Sequence, residues 1–224
     1  MSPPPALRAT AAALFLASFG LILFELLLTR LFGVVLFAQF AHLALALALL
    51  GIGIGAVLQH MAPSLVPDEG LEDRLGWIVS VQGVATLVAV ACVLWFPLVE
   101  QSAVPPGGYQ ERSSIKDQLL DLRWFAALLP IIALPFVAGG LAFAGVFQRR
   151  RAHIGFLYGA DLVGGAVGAV LFLPLLGTLA GPDLVFVVLI ATFGAAAALW
   201  YRSRPRAAAA TAMALCAALL NAGS

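Results

Sequence analysis

Charge is what this sequence has least of. Lys, Arg, Asp and Glu make up 10% of its 224 residues, against about 25% in a typical soluble domain. A water-soluble globule of this size could not cover its surface with so few charged groups. Cysteine is nearly absent as well. Cys92 and Cys216 sit far apart inside apolar runs, which excludes a disulfide framework and reads as two small apolar fillers. The three histidines, His42, His60 and His153, are scattered, so no metal site is expected. The net charge of +1 supplies no electrostatic footprint for nucleic acid. No GxSxG, HExxH, P-loop lysine or strand-led GxGxxG occurs, so none of the common soluble-enzyme constellations is present and no catalytic residue or cofactor is assigned. Gly51-Ile-Gly-Ile-Gly is glycine-rich but lies inside an apolar run.

What the sequence has is hydrocarbon. The hydrophobic fraction is 62% and the mean hydropathy is +1.05. Runs of about 20 apolar residues, the length a membrane helix needs, alternate with short polar clusters. Strands of a membrane barrel would alternate polar and apolar residues, and continuous runs such as Leu43 to Leu50 do not. The expected fold is all-α: a polytopic bundle of six or seven spans over 11–220, behind a proline-containing cytoplasmic tail at 1–10. The spans are placed at about 11–32, 34–59, 77–99, 124–147, 156–179 and 184–201, with 207–220 as a short seventh. The first is read as a retained helix rather than a cleaved signal, because Glu25 and Arg30 follow without a small-x-small cleavage site. A tight turn near Arg30 to Gly33 is expected to join the first two, with Gly33 supplying it. Ser113 to Arg123 suits a short amphipathic helix. Pro130 and Pro135 favour a kink in the fourth span.

Arginines fall mainly on one side: Arg8, Arg74, Arg149 to Arg151, Arg202, Arg204 and Arg206. The positive-inside rule then places the N-terminus in the cytoplasm, and loop 100–123 outside. The expected location is a bacterial inner membrane, with lipid as the surrounding partner.

Ionisable residues inside spans cost about 2.5–3.5 kcal/mol each on insertion scales, so they are the first candidates for function. Glu25 and His42, with Gln39, are expected at similar depth across the turn, where they would form either a structural hydrogen-bonded cluster or a proton- or cation-binding site. Arg30 is placed to snorkel to the interface. Asp161, near Tyr158, lies closer to the other end, where it is either a substrate- or proton-binding candidate or the structural partner of an arginine of 149–151. Small residues at Gly51 and Gly55, and at Gly164 and Gly168, line helix faces at three-or-four spacing, as close helix packing in lipid requires. A narrow solute path is the functional alternative. Both halves being glycine-rich, a three-plus-three inverted repeat is a further option.

The runs FELLLTRLFGVVLFAQFAHLALALALLGIGIGA at 24–56 and YGADLVGGAVGAVLFLPLLGTLAGP at 158–182 resemble the membrane half of bacterial spermidine-synthase-like membrane proteins. The resemblance implies a multi-helix region that precedes a soluble Rossmann-type domain similar to aminopropyltransferases and methyltransferases. That domain's glycine-rich cofactor loop and polyamine-binding acids have no counterpart here. The resemblance therefore implies a non-catalytic membrane domain that anchors, or supplies a polyamine-like substrate to, a separate soluble enzyme. Glu25, Arg30, His42, Tyr158 and Asp161 fall on the matching motifs. The rival expectation is a stand-alone small transporter of a polar or cationic solute, proton-coupled at Glu25 and His42. A membrane enzyme acting on lipid is disfavoured by the missing constellation. The oligomeric state stays open, a homo-oligomer included.

Overall fold

The computed structural model describes residues 4–35, 41–94, 115–179, 183–201, 206, 207 and 209–214, and among them there is no strand. Among the described residues six long helices carry the fold: α1 (Pro5–Val35), α2 (Ala41–Met61), α3 (Leu71–Leu94), α4 (Ile115–Arg149), α5 (Ile154–Thr178) and α6 (Leu184–Leu199). Five are long and apolar enough to cross a membrane, and Leu184–Leu199 is a shorter apolar helix. Residues 206, 207 and 209–214 are helical as well; the remainder of the expected seventh span lies outside the described residues.

The helix ends follow from local chemistry. Pro5 opens α1, where its missing N–H costs nothing. α1 then runs through Gly33 to Val35, so the turn expected at Arg30 to Gly33 is not there. A glycine costs a helix only about 1 kcal/mol, too little to end α1 between the apolar pairs Leu31, Phe32 and Val34, Val35. The α1–α2 connection falls at 36–40, outside the described residues. α3 begins at Leu71, well before Trp77, because Gly70 takes a left-handed conformation (φ 69°) that breaks the chain. Glu72 and Asp73 then sit in the first turn, where negative charge suits the helix dipole. α4 continues unbroken through Pro130 and Pro135 and absorbs 115–123 into one helix of 35 residues, about 52 Å long.

Packing follows a paired plan. The most extensive helix contacts are α2 with α4 and α1 with α5, followed by α1 with α6, α3 with α4, and α3 with α6. Exchanging α1 with α4, α2 with α5 and α3 with α6 maps this set of pairings onto itself, with α3–α6 unchanged. The first two pairs run parallel: Gly51 and Gly55 meet Ala133 to Leu141 in order, and Gly164 and Gly168 meet Phe15 and Phe19 in order. α1 and α4 cross antiparallel, with Leu21 over Gly139 and Phe24 stacked on Phe136 at 5.2 Å.

Two cores lie one above the other. One holds Phe24, Leu27, Leu28, Phe32, Ile132 and Phe136. The other is built from smaller side chains, among them Ala13, Ala17, Ala142, Ala195 and Ala196. The second core lies toward the end where α1, α3 and α5 begin and α2, α4 and α6 finish.

Candidate functional site

At that end the connections are tied together by arginines. Arg149, the last residue of α4, donates to Asp68 Oδ2 at 2.8 Å, to the Val66 carbonyl at 3.0 Å and to the Pro63 carbonyl at 2.7 Å. Arg150 donates to Glu72 at 2.6 Å, and Arg206 is paired with Asp73. Trp200 donates its indole N–H to the Asp73 carbonyl at 3.2 Å. Gln59 Nε2 donates to Gln148 Oε1 at 3.0 Å, joining the ends of α2 and α4. This clasp uses Arg149 and Arg150 on the acidic α2–α3 connection, and so corrects the structural alternative for Asp161, a pairing with the arginine cluster.

Asp161 instead accepts a hydrogen bond from the Ser18 hydroxyl of α1. The glycines of α5 make this approach possible. A methyl group on Gly168 would sit 2.9 Å from the Phe19 carbonyl oxygen, and one on Gly164 would meet the Phe15 backbone still more closely. Ile22 lies against Gly165 and Gly168. Ser18, Ile22 and Glu25 follow at i, i+4 and i+7 on one face of α1. Glu25 therefore lies on the same α1–α5 seam as Asp161, about 10 Å further along the axis. Its side chain is half-buried. Its backbone carbonyl accepts the Thr29 hydroxyl at 2.9 Å, and among the described residues no hydrogen bond or ion pair reaches its carboxylate.

The remaining candidates are not brought to this seam. His42 is exposed, on the outward face of α2 that carries Leu45 and Leu49, at 48% and 65% exposure. Among the described residues no hydrogen bond or ion pair joins it to Glu25. The reason is the partner choice of α2, which spends its glycine face on α4: a methyl group on Gly51 would fall 2.6 Å from Phe136 Cβ, and one on Gly55 would run into the backbone of Val137 and Leu141. Gln39 lies outside the described residues. Arg30 is exposed. Tyr158 is exposed and packs edge-on against Phe147, with ring centroids 6.1 Å apart. No group of three His, Cys, Asp or Glu side chains is placed to hold a metal among the described residues.

Sequence reasoning missed Ser18. A serine in an apolar run carries no charge, and only the i, i+7 relation to Glu25 marks its face. No family model, curated protein or solved structure matches this chain. Its class is therefore defined by its helices, which are compatible with a multi-pass membrane protein.

Proposed function

We propose that the chain is a six-span membrane domain of a bacterial inner membrane that handles a small cationic or otherwise polar solute along the α1–α5 seam. Its N-terminus and arginine clasp face the cytoplasm. The domain supplies that solute to, or anchors, a soluble enzyme of the spermidine-synthase-like kind. The observation that carries this reading is the seam itself. Two carboxylates, Glu25 on α1 and Asp161 on α5, lie along one α1–α5 seam with Ser18, which donates to Asp161, inside helices that are otherwise apolar. Carboxylates at such depth are costly and mark solute or ion paths. The resemblance at 24–56 and 158–182 supports a polyamine-like solute and a soluble Rossmann-type partner. The excess of arginine at the clasp end supports the orientation.

The paired packing of the two halves favours a second reading, a stand-alone transporter built on an inverted repeat. Proton coupling would then rest on Glu25 and Asp161 rather than on a Glu25–His42 relay, since His42 faces outward.

Uptake of labelled spermidine into proteoliposomes, with and without a pH gradient, tests both. Glu25→Gln is expected to lower uptake at least tenfold. Equal uptake by wild type and Glu25→Gln removes Glu25 from any solute-handling role. Dependence on the gradient selects the transporter. Co-purification of a soluble Rossmann-type enzyme from native membranes selects the supply-or-anchor reading, and its absence there counts against it.

A further inference from the structure

The outer face of α3 is recessed where its side chains are β-branched and short. Val81, Val84 and Val88 lie along the floor of a groove there, between Leu134 of α4 on one side and Phe193 of α6 with Met213 on the other. Trp77 stands at the end nearer the clasp. The groove encloses about 390 Å³, within the range of about 300–1,000 Å³ that small-ligand sites occupy. It is apolar throughout, since the Ser80 hydroxyl in its lining donates to the Gly76 carbonyl of the same helix at 2.8 Å. The floor valines and Trp77 are each about half exposed, so the groove opens outward, to the side that a bilayer would cover.

Its length and its ends match one leaflet. From Trp77 to Val88 it runs about 16 Å along the axis of α3, and half of a hydrocarbon core of about 30 Å is about 15 Å. Trp77 sits at the end where an interfacial tryptophan belongs. Arg74, Trp77, Val81, Val84 and Val88 follow at i, i+3, i+7, i+10 and i+14, one stripe of the helix. Arg74 is thus on the groove's own face, about 4.5 Å beyond Trp77, at the level of lipid headgroups. It is exposed, and among the described residues no hydrogen bond or ion pair engages its guanidinium. The neighbouring carboxylates are already committed, Glu72 to Arg150 and Asp73 to Arg206. Spread over its length, the groove has a section of roughly 24 Å². That suits an extended hydrocarbon chain and is too narrow to seat a helix, which is about 10–12 Å across.

We propose that this groove binds an anionic phospholipid of the clasp-side leaflet, one acyl chain lying along Val81, Val84 and Val88 and the phosphate held by Arg74. A guanidinium offers a phosphate two parallel donors, and the tryptophan marks the boundary between headgroup and chain. The site lies on α3, away from the α1–α5 seam, and does not depend on that seam's role.

The test is thermal unfolding of the full chain, washed free of lipid in a neutral detergent and titrated with dioleoyl phosphatidylglycerol or dioleoyl phosphatidylcholine. The two lipids share their chains and differ in net charge. Wild type is expected to gain about 2–4 °C with phosphatidylglycerol, saturably, and less than half of that with phosphatidylcholine. Arg74→Gln is expected to reduce the phosphatidylglycerol shift to the phosphatidylcholine value. Val84→Phe, which fills the groove from an exposed position, is expected to abolish both shifts, and Val88→Phe serves if that variant does not fold. Arg8→Gln, an exposed arginine at the same end of the bundle, is expected to keep the full response. The inference is overturned by equal shifts with the two lipids, by a charge preference that survives in Arg74→Gln, by shifts that survive in the filled groove, or by no shift in wild type. A dimer of the wild type that Val84→Phe dissociates would assign the groove to a second copy of the chain and would likewise overturn it. Loss of spermidine uptake in Glu25→Gln, or its absence, bears on the seam alone.

Discussion

The half of the bundle around Phe24 and Phe136 and the half that ends in the arginine clasp are closed by different forces. In the first, large side chains from α1, α2, α4 and α6 interlock: Phe24, Phe32 and Phe136 are at most 1% exposed. In the second, alanines let the helices come together with less side-chain volume between them, and the end is held by charged hydrogen bonds to loop carbonyls. Dispersion contacts cannot be released one at a time, since a close-packed core resists local opening. Hydrogen bonds on exposed connections can be exchanged for water. The difference makes the clasp end the one whose contacts water can replace one at a time.

The largest expected effect tests the interlocked half. Phe24→Ala removes a ring stacked at 5.2 Å on Phe136 and leaves a cavity that neighbouring helices cannot fill. A loss of about 3–5 kcal/mol is expected, read by denaturant titration in mixed micelles. Lipid removes the hydrophobic drive between helices, so nearly all of this loss would be lost packing. A loss below about 1 kcal/mol would show that the half is loosely packed and would remove the contrast.

The same contrast bears on what could be read from the sequence. Hydropathy located the apolar runs that become helices, because each must satisfy its own backbone bonds, but placed the starts of α2, α3 and α4 six to nine residues off. It could not say which helices pair. Gly51 and Gly55 identify a contact face on α2, yet the partner is α4 rather than the adjacent α1, and that choice is made by matching surfaces distant in the chain. The misplaced turn at Gly33 and the outward-facing His42 both follow from treating α1 and α2 as a hairpin. Charged residues stood out, so Glu25 and Asp161 were legible. Ser18 was not, because a neutral polar residue interrupts an apolar run too gently. Its importance comes from what lies opposite it, the Asp161 carboxylate.

A smaller effect is expected at the clasp. Arg149 is only 20% exposed and serves two carbonyls and a carboxylate in one planar fork. Arg149→Ala should cost about 2 kcal/mol, mainly through the charge-assisted bonds to Val66 and Pro63. Arg149→Lys should recover less than half, since an ammonium cannot reproduce the fork. Both are measured by the same titration. Full recovery with lysine would make the clasp a matter of charge and not of geometry.

The smallest effect separates those two ideas. Asp68 is the exposed partner of Arg149, with 70% of its side chain accessible. Its charge is screened by water, and ion pairs of this kind contribute about 0–1 kcal/mol. Asp68→Asn keeps an oxygen that can accept from the guanidinium while removing the charge. The expected loss is under about 0.5 kcal/mol, shrinking further as salt is raised from 0.05 to about 0.5 M. If Asp68→Asn instead costs as much as Arg149→Ala, the carboxylate and not the pair of carbonyls holds the end shut. The clasp would then be set by ionic strength, whereas the interlocked half around Phe24 would not respond to salt at all.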